Sequence, residues 1–97
     1  MDQAKLASSA KSLQSILQQY ALVDEEAAGL QYALADHLAA ALKGEISAPL
    51  KRADVPGAYL FLEGNLSKYS DLEEAYAKFK IEITGGETPL LKELRQR

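Results

Sequence analysis

A chain of 97 residues with 47% hydrophobic and 26% charged residues has the length and composition of one ordinary globular domain, which excludes a wholly disordered protein. Its formal net charge of −3, with scattered lysines and arginines, opposes general binding of nucleic acid. We therefore expect a folded acidic protein whose partners do not include nucleic acid.

The sequence contains no cysteine, which excludes disulfides, thiolate zinc sites and thiol nucleophiles. It also lacks an apolar run of the roughly 20 residues that a membrane span needs. Residues 1–20 mix lysine, serine and glutamine where a signal peptide would be continuously apolar. These features predict a cytoplasmic protein that does not bind membranes.

The first predicted helix covers residues 3–20. Its larger apolar residues recur in steps of three and four, which brings them onto one side of a helix. They are Leu6, Ala10, Leu13, Ile16, Leu17 and Tyr20. Asp2 stands where a carboxylate caps the first turn. The pattern is typical of an amphipathic helix that packs one stripe against the rest of the protein.

The second predicted helix covers residues 24–43, with Asp24 as its cap and Gly44 as its stop. Leucines and alanines form its main apolar side, and further alanines cover most of its remaining surface. The narrow polar strip consists of Gly29, Asp36 and Lys43, which are seven residues apart. A helix that is apolar nearly all round is usually central in its fold, and this is the position we expect.

An alternative interpretation of the second helix is that its small residues allow an identical helix to approach. The residues of this possible dimer face are Ala28, Tyr32, Ala35 and Ala39. In that case the partner is a second copy of the chain, and the protein is a homodimer.

Residues 45–53 contain Pro49 and no clean period, which predicts a loop. A short helix over residues 55–63 follows, with Asp54 as its cap and Pro56 in its first turn. The apolar run 58–62 is also compatible with a buried strand, for which the alternating residues 80–84 are the one candidate partner. This strand pair remains the alternative.

Two further helices are predicted near the end of the chain. Ser70 and Glu73 have the spacing of a capping box and open a helix over residues 70–84. Thr88 and Pro89 begin another, over residues 89–96. The apolar residues of these helices are Leu72, Ala75, Tyr76, Phe79, Ile83, Leu90, Leu91 and Leu94. The predicted fold is a small, all-α, single-domain bundle of four to five helices, with Phe61, Leu60 and Leu62 also in its interior.

The sequence offers little recognisable chemistry. His37 is the only histidine, so we expect a structural role for it and no metal site. Gly85 and Gly86 precede a threonine and a proline, but the spacing and the lysine of a phosphate-binding loop are absent. We expect no enzymatic activity and no cofactor.

The densest aromatic segment, residues 58–79, carries two tyrosines that lie beside acidic residues, an arrangement that suits either a core margin or an interface. The predicted partner-binding residues are Tyr59, Glu63, Tyr69, Asp71, Glu73 and Glu74. Our first hypothesis is a small acidic protein that occupies a basic protein partner, as an inhibitor or immunity-type protein does. The second is a homo-oligomeric structural or assembly module that associates through helix 24–43.

Overall fold

The computed structural model describes residues 2–86, and within that range the protein is all-α, as the sequence predicts. The helices are α1 (Gln3–Ala21), α2 (Glu25–Leu42), α3 (Ala58–Leu62) and α4 (Ser70–Ile83), with short 3₁₀ turns at Arg52–Asp54 and Leu66–Lys68. Residues 58–62 and 80–83 are helical, so the alternative strand pair is wrong. The helix predicted over residues 89–96 lies outside the described residues.

Leucines from all parts of the bundle form its core. The buried hydrophobic residues are Leu6, Ala10, Leu13, Leu17, Ala27, Leu30, Leu34, Leu38, Ala41, Val55, Phe61, Leu66, Leu72, Ala75, Tyr76, Phe79 and Ile83. Each fully buried leucine contributes roughly 1.5–3 kcal/mol to the free energy of folding. The three- and four-residue spacing in α1, α2 and α4 is therefore what fixes the inner side of each long helix.

The central helix of the bundle is α1, because it packs along both α2 and α4, whereas α2 and α4 have few contacts with each other. The expectation that the second helix is central is therefore wrong. The periodicity of α2 identified its inner side correctly, but the alanines on its outer side are exposed, and of these Ala35 lines a small pocket with Gln14 and Leu17 of α1. An apolar helix at the edge of the bundle leaves apolar surface exposed to water.

Aspartates cap the first two helices, as expected. The Asp2 carboxylate accepts a hydrogen bond from the Lys5 amide at 3.0 Å, and Asp24 Oδ1 accepts from the Glu26 and Ala27 amides at 2.9 and 3.3 Å. The predicted capping box of α4 is wrong, because Ser70 is already helical and Tyr69 is the N-cap residue, without a side-chain cap bond.

The segment between α2 and α4 packs against the bundle through a few specific contacts. The Leu50 amide donates to the Ile83 carbonyl at 2.9 Å, and the Tyr76 hydroxyl donates to the Pro56 carbonyl at 2.7 Å. Gly57 has a φ of +100°, and a Cβ atom there would collide with Leu30. This glycine permits the left-handed turn directly before α3, and the helix begins at Ala58 and not at residue 55.

Only one side of α3 is buried. The Phe61 ring stacks on Tyr76 with centroids 4.7 Å apart, and Leu60 packs partly against the core. Leu62, which we expected inside, is 84% exposed because α3 is short and turns this position towards water. None of the helices in the described part of the chain is long and apolar enough to cross a bilayer.

Candidate functional site

The two sides of α2 differ sharply in burial. Its inner side is formed by Ala27, Leu30, Leu34, Leu38 and Ala41, all of which belong to the core. Because each residue advances by about 100° around a helix, the positions on the opposite side point away from the bundle.

We call the exposed positions between residues 28 and 42 the α2 face. Its residues are Ala28, Gly29, Tyr32, Ala33, Ala35, Asp36, Ala39 and Leu42. Asp36 is the only charged residue among them, and Tyr32, at the middle, is 87% exposed. All four residues of the sequence-predicted dimer face are therefore exposed to solvent on one side of one helix.

Gly29 stands out within the α2 face. It lies in the interior of an α-helix, where glycine is less favourable than alanine by about 1 kcal/mol. A Cβ atom added at Gly29 would have nothing within 4 Å, so no intramolecular contact requires its small size. Gly57, by contrast, has both a left-handed backbone and a close neighbour.

Charged residues mark the two ends of the α2 face. Glu25 lies in the first turn of α2, where an acid favours the positive end of the helix dipole, and Lys43 is the residue that caps its last turn. Both side chains are exposed. Among residues 2–86, the two side-chain ion pairs lie elsewhere, at Lys68–Asp24 and Lys78–Glu74. The helix is therefore acidic at one end, basic at the other and nearly uncharged between them.

The partner-binding residues predicted around α3 and α4 fall into two groups. Tyr69 and Asp71 make side-chain contacts within the molecule, although Asp71 remains exposed. The Tyr69 ring stacks on Tyr20 with centroids 4.1 Å apart, and Asp71 Oδ1 accepts a hydrogen bond from the Tyr20 hydroxyl at 2.8 Å. The Tyr69 hydroxyl donates to Asp24 Oδ2, also at 2.8 Å. These contacts join α1, the start of α2 and the start of α4.

Titration behaviour follows from the same contacts. The hydrogen bond to Asp71 raises the pKa of Tyr20, and the bond to Asp24 raises the pKa of Tyr69. Donation from the Tyr69 hydroxyl lowers the pKa of Asp24, helped by the two capping amides and by Lys68. Sequence reasoning missed these pairs because their members are 45 and 51 residues apart.

The other predicted partner-binding residues remain at the surface. Tyr59 is 63% exposed on α3, and Glu63 and Glu73 are exposed. Glu74 pairs with Lys78 at 3.1 Å in the same helix. Leu62, one turn after Tyr59, adds an exposed apolar side chain that the sequence analysis placed in the core. Tyr59, Leu62 and Glu63 form a second, smaller exposed patch, which we call the α3 patch.

A groove of about 950 Å³ runs between α1 and α4. It is lined by serines and by side chains of both charges, including Lys5, Lys78, Glu74 and Asp71. This mixture selects no particular ligand charge. His37 Nδ1 is buried without a hydrogen-bond partner, and burial raises the pKa of Tyr76 to about 12, but neither group faces a partner for acid–base chemistry among the described contacts.

Within residues 2–86, no group of three or more histidine, cysteine, aspartate or glutamate side chains is placed to hold a metal ion. No family model, no curated protein and no solved structure matches the chain. The geometry of residues 2–86 therefore carries the functional inference, and its starting point is the exposed, nearly uncharged α2 face.

Proposed function

We propose that this chain is a protein-binding module that presents the α2 face to a helix of another protein subunit. The observation that carries the proposal is Tyr32, which is 87% exposed at the middle of an otherwise small-residue, nearly uncharged helix face. Large aromatic side chains in such positions are characteristic of the centres of protein interfaces.

The α2 face suits a helical partner in both shape and polarity. Alanine and glycine side chains allow two helix backbones to approach closely, and one tyrosine removes about 150–250 Å² from water when it becomes buried. Asp36 is the single charge that such a partner would have to neutralise. Exposed contiguous apolar surface of this kind marks interaction sites in globular proteins.

A photo-cross-linking experiment tests the proposal directly. Tyr32 is replaced by the photoreactive residue p-benzoylphenylalanine, the protein is irradiated in its own host cells, and adducts are separated by mass. Replacement of Tyr59 in the same way is the matched control, because it is also an exposed tyrosine. We expect an adduct from position 32 that disappears in an Ala39→Glu background of unchanged helical content. No adduct from position 32 would contradict the proposal.

The α3 patch favours a second candidate function, that of an acidic protein that occupies a basic protein partner. Tyr59 and Leu62 supply exposed apolar surface, and Glu63 lies beside them. In that case Tyr59→Ala and Glu63→Lys lower affinity for the partner while the helical content stays unchanged. Adducts from position 59 and none from position 32 would favour this candidate over the first.

A further inference from the structure

One set of exposed positions on α2 repeats in steps of four and three. The set consists of Glu25, Gly29, Tyr32, Asp36, Ala39 and Lys43, which we call the α2 seam. These positions lie about 180° around the helix from Leu30 and Leu34, at the greatest distance from the core. Alternating steps of four and three are the spacing by which two helices pack side chains along a common line.

The residues of the α2 seam in one copy complement those of a second copy that runs in the opposite direction. Two copies that run antiparallel, with position 34 at the centre, bring Glu25 of one copy opposite Lys43 of the other. The same register brings Tyr32 opposite Asp36 and Gly29 opposite Ala39. Each charged residue of the seam thereby faces an opposite charge or a hydroxyl donor.

The parallel arrangement of two copies is unfavourable by comparison. It would bring Glu25 against Glu25, Asp36 against Asp36 and Lys43 against Lys43, and would align the two helix dipoles in the same direction. Like charges at close range are destabilising, so the charge pattern selects the antiparallel register.

Gly29 gives independent support for a close helix neighbour. It is unfavourable within a helix, and no atom of the described molecule comes near the position of a side chain there. In the antiparallel register Gly29 of each copy faces Ala39 of the other, which gives two symmetry-related pairs of small residues. The helix backbones can approach closely at these two pairs, and the Tyr32 side chains fill the space between the pairs.

We infer that the partner bound by the α2 face is a second copy of this chain, with the two α2 helices packed antiparallel in a symmetric homodimer. This inference rests on the proposed protein-binding role of the same face. At 18 residues, α2 is about 27 Å long, and two such faces bury on the order of 1,000 Å², the lower limit for a specific interface. The dimer is therefore weak and depends on concentration.

The oligomeric state of the full chain is the first test. Light scattering after size exclusion is expected to give the monomer mass of 10.6 kDa at low concentration and twice that mass at high concentration. Ala39→Glu, at an exposed position of the α2 seam, weakens the dimer by about tenfold or more, because it buries an unpaired carboxylate twice. Ala77→Glu, the same change at an exposed position of α4, leaves the dimer intact. Gly29→Leu provides a second disruptive variant that keeps the helix.

Disulfide cross-linking tests the orientation, and the chain is suited to it because it contains no cysteine. We expect a cross-linked dimer when Glu25→Cys and Lys43→Cys chains are mixed under oxidation, and little when either is oxidised alone. Ala77→Cys reports random collision. Cross-linking of each variant with itself, with no disulfide between the two different variants in the mixture, would show a parallel dimer and overturn the inference.

A strict monomer at every concentration would also overturn the inference. The proposed protein-binding role would still stand if the residue at position 32 formed an adduct with a different protein in the host. It would fail together with the homodimer if position 32 formed no adduct at all. The two experiments therefore separate failure of the partner's identity from failure of the binding role.

Discussion

The two sides of α2 contain similar residues but have different surroundings. The inner side places leucines and alanines against α1 and the core, whereas the outer side leaves alanines and Tyr32 in water. The inner residues have their partners within the described molecule and should determine stability. Tyr32 and most of the outer alanines are exposed, so substitutions at these positions should affect association and leave the fold nearly unchanged.

Adjacent residues on the two sides provide the largest expected difference. Leu34→Ala should lower the free energy of unfolding by about 3 kcal/mol, because Leu34 is fully buried and its truncation leaves a cavity. Ala33→Gln, at an exposed position, should change it by less than about 0.5 kcal/mol. Urea titration at a concentration where the protein is monomeric measures both values. A large loss at Ala33 would mean that the outer side has an intramolecular partner.

Two tyrosines sharpen the same comparison. Tyr69→Phe removes a hydrogen bond to the Asp24 carboxylate and should lower the free energy of unfolding measurably, by less than Leu34→Ala does. Tyr32→Phe should leave the monomer's stability within about 0.5 kcal/mol of the wild type, and should weaken association, since the hydroxyl loses its proposed acceptor in the second copy. Equal losses of monomer stability in the two variants would contradict the distinction between them.

Alanine substitutions at Gly29 and Gly57 should have smaller effects on the free energy of unfolding, and these effects should have opposite signs. Gly29→Ala should raise the monomer's unfolding free energy by about 1 kcal/mol, because alanine is the better helix former and its methyl group meets open space. It should also weaken the dimer. Gly57→Ala is the control and should destabilise the protein, because its φ of +100° and Leu30 both exclude a side chain. Destabilisation by Gly29→Ala would reveal an internal reason for that glycine.

The smallest expected effect is a dependence of stability on pH at the start of α2. The pKa of Asp24 is lowered in the folded protein, above all by the Tyr69 hydroxyl. Its contribution to stability is therefore present above the unfolded-state pKa of about 3.9 and is lost as the pH falls through the folded-state value. Asp24→Asn retains a capping oxygen but cannot titrate. Thermal unfolding between pH 6 and pH 2.5 should show a smaller loss of stability in this variant than in the wild type, and equal losses would exclude the linkage.

The sequence predicts the long helices because their periodicity is local. Spacing in steps of three and four identifies the inner sides of α1, α2 and α4, and Asp2 and Asp24 identify where two of them begin. The start of α3 is different, since it depends on Gly57 and on the proximity of Leu30, which is distant in sequence. Leu62 was misplaced for the same reason, because a short helix does not show which of its apolar residues has neighbours.

The candidate site was predicted only in part. The sequence shows that α2 is apolar nearly all round. The number of helices that pack against α2 depends on the whole bundle and cannot be deduced from the sequence of α2 alone. Tyr69 and Asp71 looked available for a partner because Tyr20 and Asp24, which engage them, lie about 50 residues away in the chain. The alanines of α2 already indicated a possible homodimer in the sequence, whereas Gly29 was assigned only to the polar strip, although its unfavourable place within a helix also supports the proposal.

The Asp24 carboxylate links the first turn of α2 to Tyr69, which lies 45 residues later in the chain. Its Oδ1 atom accepts hydrogen bonds from two amides in the first turn of α2. Its Oδ2 atom accepts a hydrogen bond from the hydroxyl of Tyr69, the residue just before α4. Forming the first turn of a helix is unfavourable, because several residues become ordered for one hydrogen bond. When Tyr69 docks, it holds the Asp24 carboxylate in the position from which it caps the first turn of α2. The order in which the chain folds should reflect this. The first turn of α2 and the docked start of α4 should open in one cooperative step, with similar rates of amide hydrogen exchange.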